Sequence, residues 1–203
     1  MHQRHLPNLI LCLGLLSLPV SAAVPGDERR PMSVVEQLID RASPGATIVP
    51  PPGIYEGNLR IRRAVTLDGR GAVTFDGLGV GTVLEIAAPE VTVRNIRIRA
   101  SGNDVPTESA DIRALTGPIV LEGNTVEDSL FGIDLRESPG SIIRNNTVIG
   151  KDLEPGRRGD GIRLWWSHDC IIEGNIVRDS RDMVFWYSEN LRVERNRVTR
   201  SRY

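Results

Sequence analysis

The chain has 203 residues, enough for one domain with a substantial core. Its 25 lysines and arginines nearly balance its 26 aspartates and glutamates, so no field of one sign would attract nucleic acid or an anionic membrane. We therefore expect no nucleic-acid partner. Aromatic residues make up only 4% of the chain, and most of them lie in the stretch from Phe131 to Tyr187.

Residues 1–23 have the pattern of a secretory signal peptide. Arg4 gives a weakly positive start, and the apolar run from Leu9 to Leu18 is too short to span a bilayer. Ser21-Ala22-Ala23 offers small residues for cleavage. An uncleaved anchor is the alternative. We expect cleavage and export to the periplasm, which would leave Cys170 as the one cysteine and allow no intramolecular disulfide.

Residues 24–45 are predicted to form an N-terminal segment with a short capping helix. Apolar residues recur at helical spacing from Met32 to Ala42. Ser33 followed by Glu36 three residues later is typical of a capping box, and Pro44-Gly45 would end the helix. Such a helix would cover the open first coil of the domain that follows.

Residues 46–203 carry a repeat of about 22 residues that is marked by asparagine. The spacings between successive marked asparagines are 22, 29 and 21, and the long one contains an insertion. β-branched residues or leucine flank each asparagine with period 2, which indicates short strands bounded by turns. The pattern predicts an all-β fold, a single right-handed parallel β-helix with three short strands per coil, in which buried asparagines stack as a ladder. The ladder residues are Asn124, Asn146, Asn175 and Asn196.

Three further segments align between coils and predict columns of stacked side chains. The segments are residues 132–138, 161–167 and 182–188. Alternation points one set of positions inward and the next outward. The inward columns are Ile133, Ile162 and Met183, and Leu135, Leu164 and Phe185; the outward column is Arg136, Trp165 and Trp186.

The outward tryptophans are the first candidate binding site. Trp165 and Trp186, with Arg163 and Asp160 nearby, would suit a protein partner or sugar rings. The alternative is that insertions fold over them and make them part of a secondary core. Two insertions, residues 101–111 and 151–160, leave the coils after corresponding strands and should emerge from the same edge.

Metal and catalytic sites have weaker support. Cys170 shares an inward column with aliphatic residues, so it reads as core. His168 is the only weak metal candidate, and no ligand set converges. Polysaccharide chemistry would need paired carboxylates, for which Asp134 and Asp160 are candidates beside arginines. A salt bridge between Asp134 and Arg163 explains that pair without chemistry, so we expect no enzyme.

Several segments carry a resemblance to a known family. Exported β-helix proteins in general share the segment Pro52-Gly53-Ile54-Tyr55-Glu56-Gly57 followed by asparagine-marked coils. Three other segments are more specific to one family: residues 158–165, residues 180–182 and the terminal Ser201-Arg202-Tyr203. Together they resemble the NosD family, periplasmic β-helix proteins encoded with nitrous oxide reductase. The resemblance implies an accessory role in maturation of the reductase's copper centre. It also implies ABC transporter subunits, the reductase or a copper chaperone as partners. Copper as a cofactor is implied by this resemblance alone.

The sequence departs from that family by stopping mid-coil, where members carry further coils. We expect either a fragment or a second chain that covers the open C-terminal coil. Two other functions stay open: a carbohydrate-binding or carbohydrate-active β-helix that uses the Trp165 and Trp186 face, and a non-functional gene fragment.

Overall fold

The computed structural model describes residues 27–202, so the predicted signal peptide lies outside the described residues. This part of the chain contains one α-helix, one 3-10 turn and nineteen short strands. The helix α1 spans Ser33–Arg41 and the 3-10 turn spans Pro155–Arg157. In chain order the strands are β1 (Arg29–Pro31), β2 (Thr47–Ile48), β3 (Gly53–Glu56), β4 (Leu59–Ile61), β5 (Thr66–Asp76), β6 (Leu84–Ile86), β7 (Val91–Arg99), β8 (Ala110–Ala114), β9 (Ile119–Glu122), β10 (Thr125–Ser129), β11 (Phe131–Arg136), β12 (Ile142–Arg144), β13 (Thr147–Gly150), β14 (Ile162–Trp165), β15 (Ile171–Glu173), β16 (Ile176–Arg178), β17 (Met183–Trp186), β18 (Arg192–Glu194) and β19 (Arg197–Thr199).

The strands pair only in parallel and wind into a β-helix with three faces. The first face runs through β9, β12, β15 and β18, and the second runs through β10, β13, β16 and β19. These two faces join into one sheet because β5 and β7 bend through the corner between them. The third face is a separate six-stranded sheet in the order β17, β14, β11, β8, β6, β4. The all-β parallel coil predicted from the repeat is confirmed.

The core is a set of aliphatic columns, one residue per coil, that point inward from each face. Period-2 alternation makes every second residue of a strand face the interior, and parallel register places equivalent residues directly above one another. The predicted columns from Ile133 and Leu135 through Ile162 and Leu164 have this register. On the first face the fully buried column is Leu67, Val93, Leu121, Ile143 and Ile172.

The N-terminal helix packs against the first coil through Val35 and Ile39, which are buried. The capping-box prediction is wrong. Met32, not Ser33, occupies the N-cap position, and no side chain caps the helix. The reason is the preceding strand: β1 pairs with β3, and the Met32 amide continues that ladder by donating to the Glu56 carbonyl at 2.9 Å. The helix start is therefore set by strand pairing rather than by a local cap.

The four marked asparagines form a continuous ladder at the corner between the first two faces, in which Asn124, Asn146 and Asn175 are buried and Asn196 is partly exposed. In Asn146, the side-chain Nδ2 donates to the Leu121 carbonyl at 2.9 Å and to Oδ1 of Asn175 at 3.0 Å. The same Asn175 oxygen accepts the Asn146 amide at 3.0 Å. Asn124 repeats this pattern against Asn146, and its oxygen accepts the amide of Ile96. Each buried amide thus satisfies turn groups that water cannot reach.

The two insertions lie side by side at one edge of the third face. Leu153 of the second insertion packs against Ala110, Leu130 and Phe131 next to the first insertion, in a small apolar cluster apart from the main core. None of the helices in the described part of the chain has the length and apolarity needed to cross a membrane. At the last coil, the inward residues Val193 and Val198 keep 44% and 40% of their surface exposed.

Candidate functional site

Four aromatic side chains form a patch where the third face ends, here called the aromatic surface: Trp165, Trp166, Trp186 and Tyr187. Trp166 and Tyr187 stack with ring centroids 4.5 Å apart and planes only 8° apart. Trp165 and Trp186 meet edge to face, 4.6 Å apart and tilted by 67°. Trp166, Trp186 and Tyr187 each keep more than half of their surface exposed. A contiguous aromatic patch of this kind is typical of an interaction site.

Strand register explains why these rings meet. Trp165 is paired with Trp186, and Arg136 with Trp165, as the outward column predicts. The residue that follows each of these strands lies at the corner of the coil, and its side chain stacks on the equivalent residue of the next coil. Trp166 and Tyr187 therefore lie on neighbouring coils in one corner column.

A network of five charged side chains lies beside the aromatic surface, here called the arginine–carboxylate network: Glu108, Arg113, Asp134, Arg136 and Arg163. Its centre is Asp134, which is fully buried. Asp134 accepts hydrogen bonds of 3.0 Å from Arg113, Arg136 and Arg163. Glu108, from the first insertion, binds Arg163 through both carboxylate oxygens and also pairs with Arg136.

Arg113, Asp134 and Arg163 are paired on neighbouring strands and form a second outward column, and the first insertion explains why this column is largely buried. Glu108 reaches back over the third face, and its backbone carbonyl accepts a hydrogen bond from Arg113. Arg163 is left only 4% exposed, and its guanidinium lies over the Phe131 ring, 4.5 Å from the centroid. The predicted salt bridge between Asp134 and Arg163 is present, but it is a covered structural contact rather than a surface pair.

The charges of this network hold the carboxylates in their ionised form. Burial alone would raise the pKa of Asp134, but the hydrogen bonds and charge of Arg163, with Arg136, bring it below its ordinary value. The same balance, with the same two arginines, lowers the pKa of Glu108. Burial opposes the charge of Arg163, but its bonds to Asp134 and Glu108 outweigh burial and raise its pKa. These groups are suited to fixing the insertion in place and not to donating a proton.

A cavity of about 300 Å³ opens between the network and the aromatic surface. Glu108 and Arg136 form its charged wall, Trp165 and Trp166 form its aromatic wall, and Glu137 stands at its edge. A site of this volume is large enough for one side chain or one small ligand.

The other predicted site residues lie apart from this cavity. Asp160 is only 2% exposed, and both of its carboxylate oxygens accept hydrogen bonds of 2.8 Å from Arg181. Asp160 and Arg163 are thus buried in ion pairs, whereas Trp165 and Trp186 reach the surface. The prediction overlooked Tyr187 and Glu137, although the alignment of coils already placed both in the column of Trp166.

The cysteine and histidine that sequence reasoning considered as metal ligands both have structural partners. No group of three or more histidine, cysteine, aspartate or glutamate side chains between residues 27 and 202 is placed to hold a metal ion. Cys170 is 1% exposed, and burial raises the pKa of its thiol. The thiol donates to the backbone carbonyls of Ser138 and His168. The His168 Nδ1 accepts the Glu189 amide at 3.1 Å, so that nitrogen serves a turn.

Comparison with known proteins places this architecture in a family. The family model described as "Right handed beta helix region" matches residues 81–202, more than half of the chain. The "Probable ABC transporter binding protein NosD" of Pseudomonas aeruginosa is 31% identical over 134 residues, which cover 64% of this chain and 31% of that protein. The chain therefore spans about a third of the length of this relative. No solved structure matches significantly. The chain belongs to the right-handed β-helix family, and over the matched residues it is similar to NosD.

Proposed function

We propose that this protein is a non-catalytic periplasmic scaffold that assists maturation of the copper centre of nitrous oxide reductase, together with an ABC transporter. The observation that carries the proposal is the 31% identity to a protein named "Probable ABC transporter binding protein NosD". The predicted signal peptide supports the periplasmic location. The match covers only 31% of that relative. The proposed partners are therefore inferred from the role of a full-length NosD protein.

The geometry of the carboxylates supports a scaffold over an enzyme. The two carboxylates that sequence reasoning singled out for acid–base work, Asp134 and Asp160, are both buried and both bound to arginines. A general acid or base must reach its substrate and exchange a proton near the working pH. Neither side chain has the free surface that such work requires, and the bonds from Arg163 and Arg136 outweigh burial and lower the pKa of Asp134.

The ligand chemistry supports a role in which copper is cargo of the assembly and is held by partners. Copper prefers thiolate, thioether and imidazole ligands that converge on one point. Cys170 faces the core, and Met32, the N-cap residue of α1, is only 3% exposed. The proposed role of this chain is therefore to hold partner proteins in place while copper passes between them.

The test is direct binding by the purified full chain. Immobilised protein is exposed to detergent-solubilised ABC transporter from a nitrous-oxide-reducing bacterium and, separately, to the copper-free reductase. Binding to either partner is expected, and failure to bind both would overturn the proposal. A parallel Cu(I) titration against a competing chelator is expected to show no tight stoichiometric binding. Tight binding would instead identify the chain as a copper carrier.

A further inference from the structure

We infer that the aromatic surface and the cavity beside it bind a lysine or arginine side chain on an extended basic segment of a partner protein. This inference rests on the proposed scaffold function and names the surface and the partner chemistry that the scaffold would use. Its support comes from backbone conformation, ring exposure and the distribution of unpaired charge around the cavity.

The backbone is the first observation. Glu137, Trp166 and Tyr187 occupy one corner column, and each has a left-handed φ of 50°. Glycine and asparagine adopt this conformation readily, whereas a bulky side chain does so only at a cost. The corner between the first two faces has the same left-handed turn and carries Asn95, Gly123, Asn145, Gly174 and Arg195. The turn itself therefore does not require tryptophan or tyrosine, and the rings need another explanation.

The exposure of the rings is the second observation. Trp166 and Tyr187 keep 54% and 59% of their surface in water although they stack on each other. Stacking holds both rings in place before a ligand arrives, so binding orders few additional side-chain torsions. Large, preorganised and exposed aromatic side chains are the residues that most often anchor a protein partner.

The third observation is that one carboxylate lining the cavity, Glu137, has no ion-pair partner among the described residues. The other two charged residues that line the cavity are both held in the arginine–carboxylate network: Glu108 pairs with Arg136 and Arg163, and Arg136 also pairs with Asp134. Glu137 is exposed and forms no ion pair within residues 27–202. Asp169 lies in the turn after Trp166, and Glu189 lies in the turn after Tyr187. Both are exposed, and neither forms a salt bridge within the described residues.

These features together fit a cation. An indole face attracts an ammonium or guanidinium group, and a carboxylate at the rim adds a charge-assisted hydrogen bond. Trp166 and Glu137 supply these two groups from neighbouring coils, and both line the cavity. The tilt of 67° between Trp165 and Trp186 leaves no coplanar platform for a sugar chain. A neutral sugar would also gain nothing from the charge of the unpaired carboxylates.

The experiment measures binding of labelled peptides to the full chain by fluorescence anisotropy. The probe is a peptide of repeating Gly-Lys and Gly-Arg units, and the matched control probe replaces each lysine and arginine with glutamate. A neutral hexasaccharide competes in a third arm. We expect the basic peptide alone to bind, with an affinity that falls as salt rises from about 0.05 M to about 0.5 M because exposed charges are screened.

Three variants locate the site. Trp166→Asn and Tyr187→Asn remove a ring and leave a residue that accepts the left-handed backbone, so both should fold. Each is expected to weaken peptide binding about tenfold, and Glu137→Gln by a similar factor. Leu78→Asn is the matched control, because Leu78 also has a left-handed φ of 56° and is 58% exposed, but lies elsewhere. Its peptide affinity should equal that of the wild type.

The outcomes separate this inference from the proposed function. Unchanged peptide binding in Trp166→Asn and Glu137→Gln, or displacement of the peptide by the hexasaccharide, overturns the cation site. Equal binding of transporter and reductase by wild type and Trp166→Asn also overturns the inference, while the scaffold function stands. If the peptide binds at this surface but neither transporter nor reductase binds, the inference stands and the proposed function fails.

Discussion

Asp134 and Arg163 face each other across two neighbouring coils of the third face and form a double hydrogen bond. Arg163 Nε lies 3.0 Å from Oδ1 of Asp134, and its Nη2 lies 3.0 Å from Oδ2. The Asp134 carboxylate is fully buried. Arg163 also donates two hydrogen bonds to Glu108 of the first insertion. One ion pair thus ties two coils to the insertion that covers them. A buried pair with this many hydrogen bonds is stable only while each partner is present.

The first prediction follows from this dependence. Asp134→Asn removes the charge that three arginines share, while the side chain keeps its size. Arg163 would then be buried with only Glu108 as a counter-charge, so we expect the free energy of unfolding to fall by about 3–5 kcal/mol. Urea denaturation followed by circular dichroism measures this loss.

The matched control is an exposed pair of the same chemistry. Arg97 and Glu127 pair at 2.7 Å on the second face, with the Arg97 side chain 51% exposed. Glu127→Gln should cost only about 0–1 kcal/mol, because water screens the pair and competes with it. Equal effects of Glu127→Gln and Asp134→Asn would show that burial adds nothing to the network.

The second prediction concerns the asparagine ladder. Asn146→Leu removes a side chain that serves the Leu121 carbonyl, the Asn124 amide and the side-chain amides above and below it. Buried groups that lose their partner cost about 1–3 kcal/mol in total stability. The melting temperature measures the effect. Asn103→Leu is the control, since Asn103 is exposed in the first insertion and should tolerate the change. A melting temperature that does not change in Asn146→Leu would contradict the ladder's role.

The sequence allowed the period, the three strands per coil and the inward columns to be predicted because each coil repeats the same local pattern. Ile133 could be aligned with Ile162, and Arg136 with Trp165, before any coordinates, and the strand register agrees. A stacked fold makes such alignment informative, since equivalent residues of successive coils become spatial neighbours.

Features outside the repeat could not be predicted in the same way. The first insertion has no equivalent on the next coil, so nothing in the pattern showed that Glu108 would fold back and bury Arg163. The helix start failed for a similar reason. Ser33 and Glu36 fit a local cap, but pairing of β1 with β3 decides where the helix begins. Long-range contacts overrode local signals in both places.

The third prediction concerns Trp186, the last residue of the outward column of Arg136, Trp165 and Trp186. Trp186 is 51% exposed and touches Trp165 only at an edge, so Trp186→Ala should lower the free energy of unfolding by no more than about 1 kcal/mol. Thermal unfolding measures the change. Leu164→Ala, on the inward side of the strand paired with that of Trp186, is the control and should cost about 2–5 kcal/mol. A loss in Trp186→Ala as large as that of Leu164→Ala would place Trp186 in the core.

The fourth prediction concerns pH and Asp111, which is fully buried where the first insertion rejoins the third face. Burial raises the pKa of Asp111 well above its ordinary value, although hydrogen bonds from Ser129 and Ser101 and the charge of Lys151 oppose the rise. The folded protein therefore binds this proton more tightly than the unfolded chain, whose aspartate has a pKa of about 3.9. The contribution of Asp111 to stability is complete below about pH 4 and is lost as pH rises through the raised pKa.

Asp111→Asn isolates this effect. In the wild type the Ser101 amide and the Ser129 hydroxyl both donate to the Asp111 carboxylate. Asparagine can still accept the Ser101 amide, and its side-chain NH₂ can donate to the Ser129 hydroxyl, but it does not ionise. The stability of the variant relative to wild type should therefore increase from pH 4 upward, by at most about 1.4 kcal/mol per pH unit. Denaturation at unit steps from pH 4 to pH 8 measures the difference. Asp134 and Glu108 have lowered pKa values and act below this window, and because both proteins contain them, their contribution cancels. Parallel stability curves for the two proteins would mean that Asp111 is already ionised in the folded state at pH 4.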